Sequence, residues 1–194
     1  MRTIDFFKEF LRDPSQTGAV MPSGPGLCRL LASTAGVPNS KMIVEFGTGT
    51  GVVTQEILRQ MPEASHLIGL EINEDLAEAT RVLCPDAEII SENAANALRI
   101  LQDRGFDGCD CIVSGLPWAA FPELLQNELL DGAIAALRPG GRFVTFAYLH
   151  ALPTPAARRF KAKLSGRFRA VGKTKAVWAN VPPALVYWAD KGEG

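Results

Sequence analysis

Residues that mark specialised chemistry are scarce in this chain. Its only cysteines are Cys28, Cys84, Cys109 and Cys111, too few for a secreted disulfide scaffold and without zinc-ligand spacing, so they are expected to be reduced, mostly buried thiols and no metal is expected. Only two histidines occur; neither His66 nor His150 is placed clearly enough to be read as a base, His150 being the better candidate. No apolar run reaches the roughly 18 residues that span a bilayer, and a signal-peptide core is lacking, so a cytoplasmic location is expected. Acids are absent from residues 132–189, which carry ten bases: Arg138, Arg142, Arg158, Arg159, Lys161, Lys163, Arg167, Arg169, Lys173 and Lys175. The net charge of −1 therefore hides a basic C-terminal part and an acidic remainder. A polyanionic partner follows from that asymmetry, either an anionic membrane surface or a nucleic acid; the plainer alternative is a solvated basic face.

What is present fits a single domain of 194 residues with 47% hydrophobic residues. Short β-branched and aromatic runs, "KMIVEF", "SHLIGLEI", "AEIIS", "CDCIVSGL" and "GRFVTFAY", read as buried strands. Helical spacing fills Val52 to Gln60, Glu74 to Leu83, Asn96 to Arg104 and Leu124 to Leu137. This alternation predicts an α/β fold, a Rossmann-like, doubly wound, mostly parallel sheet with helices on both faces. Beyond Tyr148 the rhythm changes, and two strand-like runs flanking "NVPP" predict a C-terminal antiparallel hairpin. Three segments are expected within the domain: an N-terminal helical lid over residues 1–38, a cofactor-binding core over 39–150, and a basic loop with the terminal hairpin over 151–194.

The turn Gly47-Thr48-Gly49-Thr50-Gly51 joins a strand to a helix, and its alternate glycines let a ligand lie against the backbone and the helix N-terminus. Val52 stands where a dinucleotide fingerprint needs its third glycine, which disfavours a dinucleotide. Glu71 ends the second strand, where a carboxylate can accept from both hydroxyls of a ribose. Glu45 is a second acid beside the turn.

With "VEFGTGTG" and "GLEIN", the chain resembles the class I S-adenosylmethionine-dependent methyltransferases over roughly residues 40–148. The resemblance implies S-adenosyl-L-methionine as cofactor and S-adenosyl-L-homocysteine as product. It also implies that Glu45, Gly47, Gly49, Gly51, Glu71, Ile72, Asn93, Ala94 and Ser114 bind the cofactor. Asn93 stands where the family usually has an Asp that meets the adenine amino group. At the fourth strand's end, amino-methylating members usually carry Asn before a Pro and an aromatic residue. Here "SGLPW" has Gly115 in that place, which removes an acceptor for a nucleobase amine and favours an alkyl amine.

"QTGAVMPS", "SGLPWAAFP", "FVTFAY" and "VWANVPPALVYW" further resemble the bacterial phosphatidylethanolamine N-methyltransferases. Gln16, Thr17 and Gly18 would then cover the methionine end of the cofactor. Gly115, Leu116, Pro117, Trp118 and Tyr148 would contact the substrate, Trp118 holding an ammonium on its π face and Tyr148 orienting the amine. The resulting expectation is N-methylation of phosphatidylethanolamine at an anionic membrane surface by a cytoplasmic, peripheral enzyme. An rRNA adenine dimethylase-like enzyme and a non-catalytic cofactor-binding module are the alternatives. No oligomeric state follows. In "MRTIDFFKEFLR", Ile4, Phe6, Phe7, Phe10 and Leu11 separate from the polar residues around a helix, which would suit either a lipid interface or a lid.

Overall fold

The computed structural model describes residues 23–193. Six α-helices and seven strands are found among them: α1 Pro25–Ala35, β1 Met42–Phe46, α2 Val52–Gln60, β2 His66–Leu70, α3 Glu74–Leu83, β3 Glu88–Ile90, α4 Ala97–Gln102, β4 Cys109–Ser114, α5 Glu123–Ala136, β5 Leu137–Tyr148, α6 Pro155–Arg167, β6 Ala170–Lys173 and β7 Ala184–Asp190. Local chemistry sets several boundaries. Asn73 caps α3 by accepting from the Leu76 N–H, Glu74 and Asp75 occupy its first turn and Arg81 its last, all favourable to the helix dipole. Thr154 caps α6 in the same way, with Pro155 at the first helical position.

One sheet forms, in the order β3-β2-β1-β4-β5-β7-β6. Strands β1 to β5 are parallel, while β7 runs antiparallel to both β5 and β6. The chain winds outward from β1 to β3 and returns to β4 on the other side of β1. Its topological switch point is therefore the crevice at the C-terminal ends of β1 and β4, where sheets of this kind bind ligands. All five residues of β1 are buried, as a central strand covered on both faces requires. One face packs Val44, Phe46, Ile112 and Phe143 against α4, α5 and α6; the other packs Ile43, Val113, Val144 and Val186 against Leu27 and Leu31 of α1. All four cysteines are free and buried. No described helix is long and apolar enough to cross a membrane.

Two expectations change. The first run of the hairpin was expected to continue through "KTKAVW", but β6 ends at Lys173 and residues 174–183 form an irregular loop with one isolated β-bridge, Val177 to Ala184. The basic segment is also less bare than its sequence. Folding brings Asp110 to Arg138, Asp190 to Arg142, Glu123 to Arg159 and Lys163, and Asp131 to Arg167. Arg158, Lys161, Arg169, Lys173 and Lys175 keep no acidic partner among the described residues. The amphipathic N-terminal stretch lies outside the described residues.

Candidate active site

At the end of β1 the chain turns through Gly47, Gly49 and Gly51, with φ of 76°, 53° and 79°. That left-handed run excludes most side chains. A Cβ on Gly49 would meet nothing within 4 Å, so the turn is open to a ligand there, whereas one on Gly47 would strike Leu116. Glu71, 4% exposed, faces the turn. Its Oε2 accepts from the Gly49 N–H and its Oε1 from the Asn73 N–H, each at 3.0 Å. Burial raises its pKa above the usual carboxylate value despite those backbone hydrogen bonds. The Ile72 N–H also approaches the carboxylate, whose remaining acceptor capacity is open to a ligand hydroxyl.

A slot beside Glu71 is lined by Gly47, Leu70, Ile72, Glu92, Ala94 and Leu116. Its apolar walls and the two acids at its rim, Glu71 and Glu92, are the chemistry that an adenosyl group needs, apolar surface for the base and acceptors for the ribose. Glu92 carries no motif signal in the sequence; it reaches the slot because it follows β3 at the switch-point edge, where Arg99 pairs with it at 2.9 Å.

Other expected cofactor contacts are engaged within the protein. Glu45 is fully buried, accepts from the Thr54 hydroxyl at 2.7 Å through Oε2, and has no partner for Oε1 among the described residues. Burial pushes its pKa up to about 8, outweighing the Thr54 hydrogen bond, so at neutral pH it is largely a protonated acid that ties β1 to α2. It does not line the slot. The Asn93 amide accepts from the Ala95 N–H at 3.0 Å and donates to Glu128 at 3.3 Å. Capping the turn that follows β3 therefore occupies the side chain expected at the adenine, and Ala94 borders the slot instead. Ser114 is buried, its hydroxyl accepting from the Trp118 indole N–H at 2.9 Å and the Leu116 N–H at 3.3 Å. It braces the loop after β4. Gln16, Thr17 and Gly18 lie outside the described residues.

A second cavity, of about 350 Å³, opens at the C-terminal ends of β4 and β5. Its walls include Pro117, Trp118, Phe146, Tyr148, Phe160 and Tyr187, with His150 and Thr154, and among the described residues contain no Asp, Glu, Lys or Arg. Tyr148 lies face to face with the exposed His150 at 5.7 Å and edge-on to Phe146 at 5.3 Å. Burial raises the phenol pKa of both Tyr148 and Tyr187, so both stay protonated at neutral pH. Neither hydroxyl bonds another described residue.

The expectation for Trp118 is corrected. Its ring is 2% exposed and stacks on Phe160 at 5.1 Å, with Phe143 edge-on at 5.5 Å. With its N–H given to Ser114, it is a wall of the cavity rather than an open face for a cation. Leu116 lines the slot beside Glu71, while Pro117 and Tyr148 line the cavity. Gly115 lines neither. A Cβ there would come 2.8 Å from the Gly47 carbonyl oxygen, so the close approach of the chain after β1 and after β4, which run side by side, forbids an Asn at this position without a shift. Phe160, Thr154 and Tyr187 were not legible as site residues, because α6 with its cap and β7 reach the cavity only through the tertiary fold.

Residues 43–141 match the family model described as "Methyltransferase domain". Among curated proteins, the ornithine lipid N-methyltransferase of Singulisphaera acidiphila is 27% identical over 186 residues, covering 94% of this chain and 93% of that protein. Among solved structures, an O-methyltransferase from Bacillus cereus in complex with SAH aligns with a TM-score of 0.68 at 16% identity, covering 97% of this chain and 90% of its own. The O-methyltransferase TomG of Streptomyces achromogenes, involved in tomaymycin synthesis and solved with SAM, aligns at 0.66 and 20% identity, covering 87% and 81%. At these identities the two structures share the fold.

Proposed function

Because the chain belongs to the methyltransferase-domain family, we propose that it transfers the methyl group of S-adenosyl-L-methionine to the primary amine of a phospholipid, phosphatidylethanolamine being the first candidate. The observation that carries this reading is the aromatic cavity free of charged side chains, one residue along the chain from the adenosyl slot at Leu116.

When bound, the cofactor supplies an electrophilic methyl carbon on a positively charged sulfur. Glu71 holds the ribose through two charge-assisted hydrogen bonds, Gly49 lets the ligand lie against the turn, and Ile72, Ala94 and Leu116 supply apolar surface to the base. The amine must arrive with its lone pair free. A primary ammonium ordinarily titrates near 10, and burial in an apolar site lowers such values by up to about 3 to 5 pH units. The cavity therefore favours the neutral amine without a dedicated base. The Tyr148 and Tyr187 oxygens accept its N–H groups and turn the lone pair toward the slot; positioning of this kind supplies most of the rate. Arg158, exposed near the start of α6 and donating to the Pro153 carbonyl, has further N–H groups that would meet a headgroup phosphate.

A nucleobase substrate fits less well, since Gly115 cannot hold the extra acceptor. The curated relative's ornithine lipid is a different lipid from phosphatidylethanolamine, and it supports the lipid class rather than the headgroup. Reversible attachment to the cytoplasmic face of an anionic membrane would supply such a substrate. Lipid extracts of cells expressing the protein test the reading: mono-, di- or trimethylated phosphatidylethanolamine should appear, and extracts identical to the vector control would overturn it.

A further inference from the structure

We propose that the loop of residues 174–183 is a membrane-docking element that sets the mouth of the acceptor cavity against an anionic phospholipid bilayer. The inference rests on the lipid reading above and adds the surface by which the lipid is reached.

Trp178 is 74% and Val181 68% exposed. They are presented by a loop that is firmly tied down. Between them sits Asn180, 3% exposed, which accepts from the Gly24 N–H at 2.9 Å and donates to the Pro182 carbonyl at 2.6 Å. The Val177 N–H donates to Ala184 at 2.7 Å, and Leu149 donates to Pro183 at 2.9 Å. Held at both ends and in the middle, the loop turns an indole and an isopropyl group to solvent where nothing within the described protein covers them.

The location selects the occupant. Tyr148, a wall of the cavity, pairs with Ala184, the residue at which β7 leaves the loop. The loop therefore stands at the C-terminal edge of the parallel strands, the edge onto which the cavity opens. Exposed Lys173 precedes it and exposed Lys175 lies within it, exposed Arg158 stands in the first turn of α6 at the same edge, and residues 174–183 contain no acid. An aromatic residue with an aliphatic neighbour and a basic surround is the composition that seats a protein at a bilayer interface, where the indole lies at headgroup depth and the cations meet anionic lipid. A protein partner would not require this alignment with the cavity; a lipid substrate does.

The test uses the full chain with phosphatidylethanolamine vesicles, with and without phosphatidylglycerol. Trp118 is buried and Trp188 lies under Arg142, so a blue shift of tryptophan emission on adding vesicles should arise from Trp178 and vanish in Trp178→Phe. Trp178→Ala should weaken flotation with anionic vesicles by about tenfold, and Lys173→Ala or Lys175→Ala by about fivefold each at low salt. Methyl transfer to vesicle lipid should fall with flotation in Trp178→Ala, while transfer to a short-chain lipid dispersed in detergent stays at the wild-type rate. Flotation of Trp178→Ala equal to wild type, no flotation of either, or an unshifted Trp178 in floating protein would overturn the docking role. So would a concentration-dependent dimer, without vesicles, that Trp178→Ala abolishes. Vesicle binding through Trp178 with no lipid methylated would instead sink the substrate reading and leave the loop assignment standing.

Discussion

Glu71→Gln removes one charge and one acceptor without changing the shape of the side chain. In the native protein each carboxylate oxygen already takes one backbone N–H at 3.0 Å, and the group is 4% exposed. The amide would set its NH₂ against the Gly49 or the Asn73 N–H, donor against donor, and would offer the ribose hydroxyls neutral hydrogen bonds or none. Hydrogen bonds to a charged group contribute about 1.5 to 3 kcal/mol and neutral ones about 1, so the loss at two hydroxyls is about 2 to 3 kcal/mol, roughly 30- to 150-fold in Kd. Calorimetry with S-adenosyl-L-homocysteine measures it directly, and thermal unfolding of the ligand-free variant reports the separate cost of the stranded N–H. An unchanged Kd with a lowered Tm would show that Glu71 only braces the turn, and the adenosyl slot would have to be sought elsewhere.

The remaining expectations concern four other positions. Burial pushes Glu45 to about 8, above its unfolded value, so its contribution to stability is complete at acid pH and is lost as pH rises through that value. Wild type should lose stability between about pH 4.5 and 8 relative to Glu45→Gln, and Tm curves that stay parallel across that window would contradict a neutral buried acid. Gly115→Asn brings a Cβ within 2.8 Å of the Gly47 carbonyl; it should lower Tm and cofactor affinity together without creating adenine methylation, and a stable variant active on adenine would refute the steric account. Tyr187→Phe should reduce kcat by about tenfold with cofactor Kd unchanged, as should Tyr148→Phe. A loss confined to cofactor affinity would move both phenols out of the acceptor site.

Much of the cofactor side was legible in the sequence because it is local. The glycine turn, the strand before it and the acid ending β2 lie within one β-α-β unit, and α2 and α3 have the bounds that their periodicity predicts. The acceptor side was legible only in outline. "SGLPW" marks the right strand end, but whether Trp118 faces a ligand depends on Phe160 of α6, and no local pattern announces that stacking. Charge misled for the same reason: Glu123 and Asp131 lie in the acidic part of the sequence and reach the basic helix only by the packing of α5 beside α6. Asn93 shows a third kind of miss, since a side chain suited to an adenine contact is equally suited to capping a turn, and the capping geometry prevails.

The central claim is that the charge-free cavity delivers a neutral lipid amine to the bound methyl donor. Its most direct test is methyl transfer by the purified chain from labelled S-adenosyl-L-methionine to phosphatidylethanolamine, with ornithine lipid and unmodified rRNA as parallel acceptors. Label is expected in the phosphatidylethanolamine headgroup nitrogen, with rRNA unlabelled. Dimethyladenosine in the rRNA with both lipids unlabelled would contradict the account.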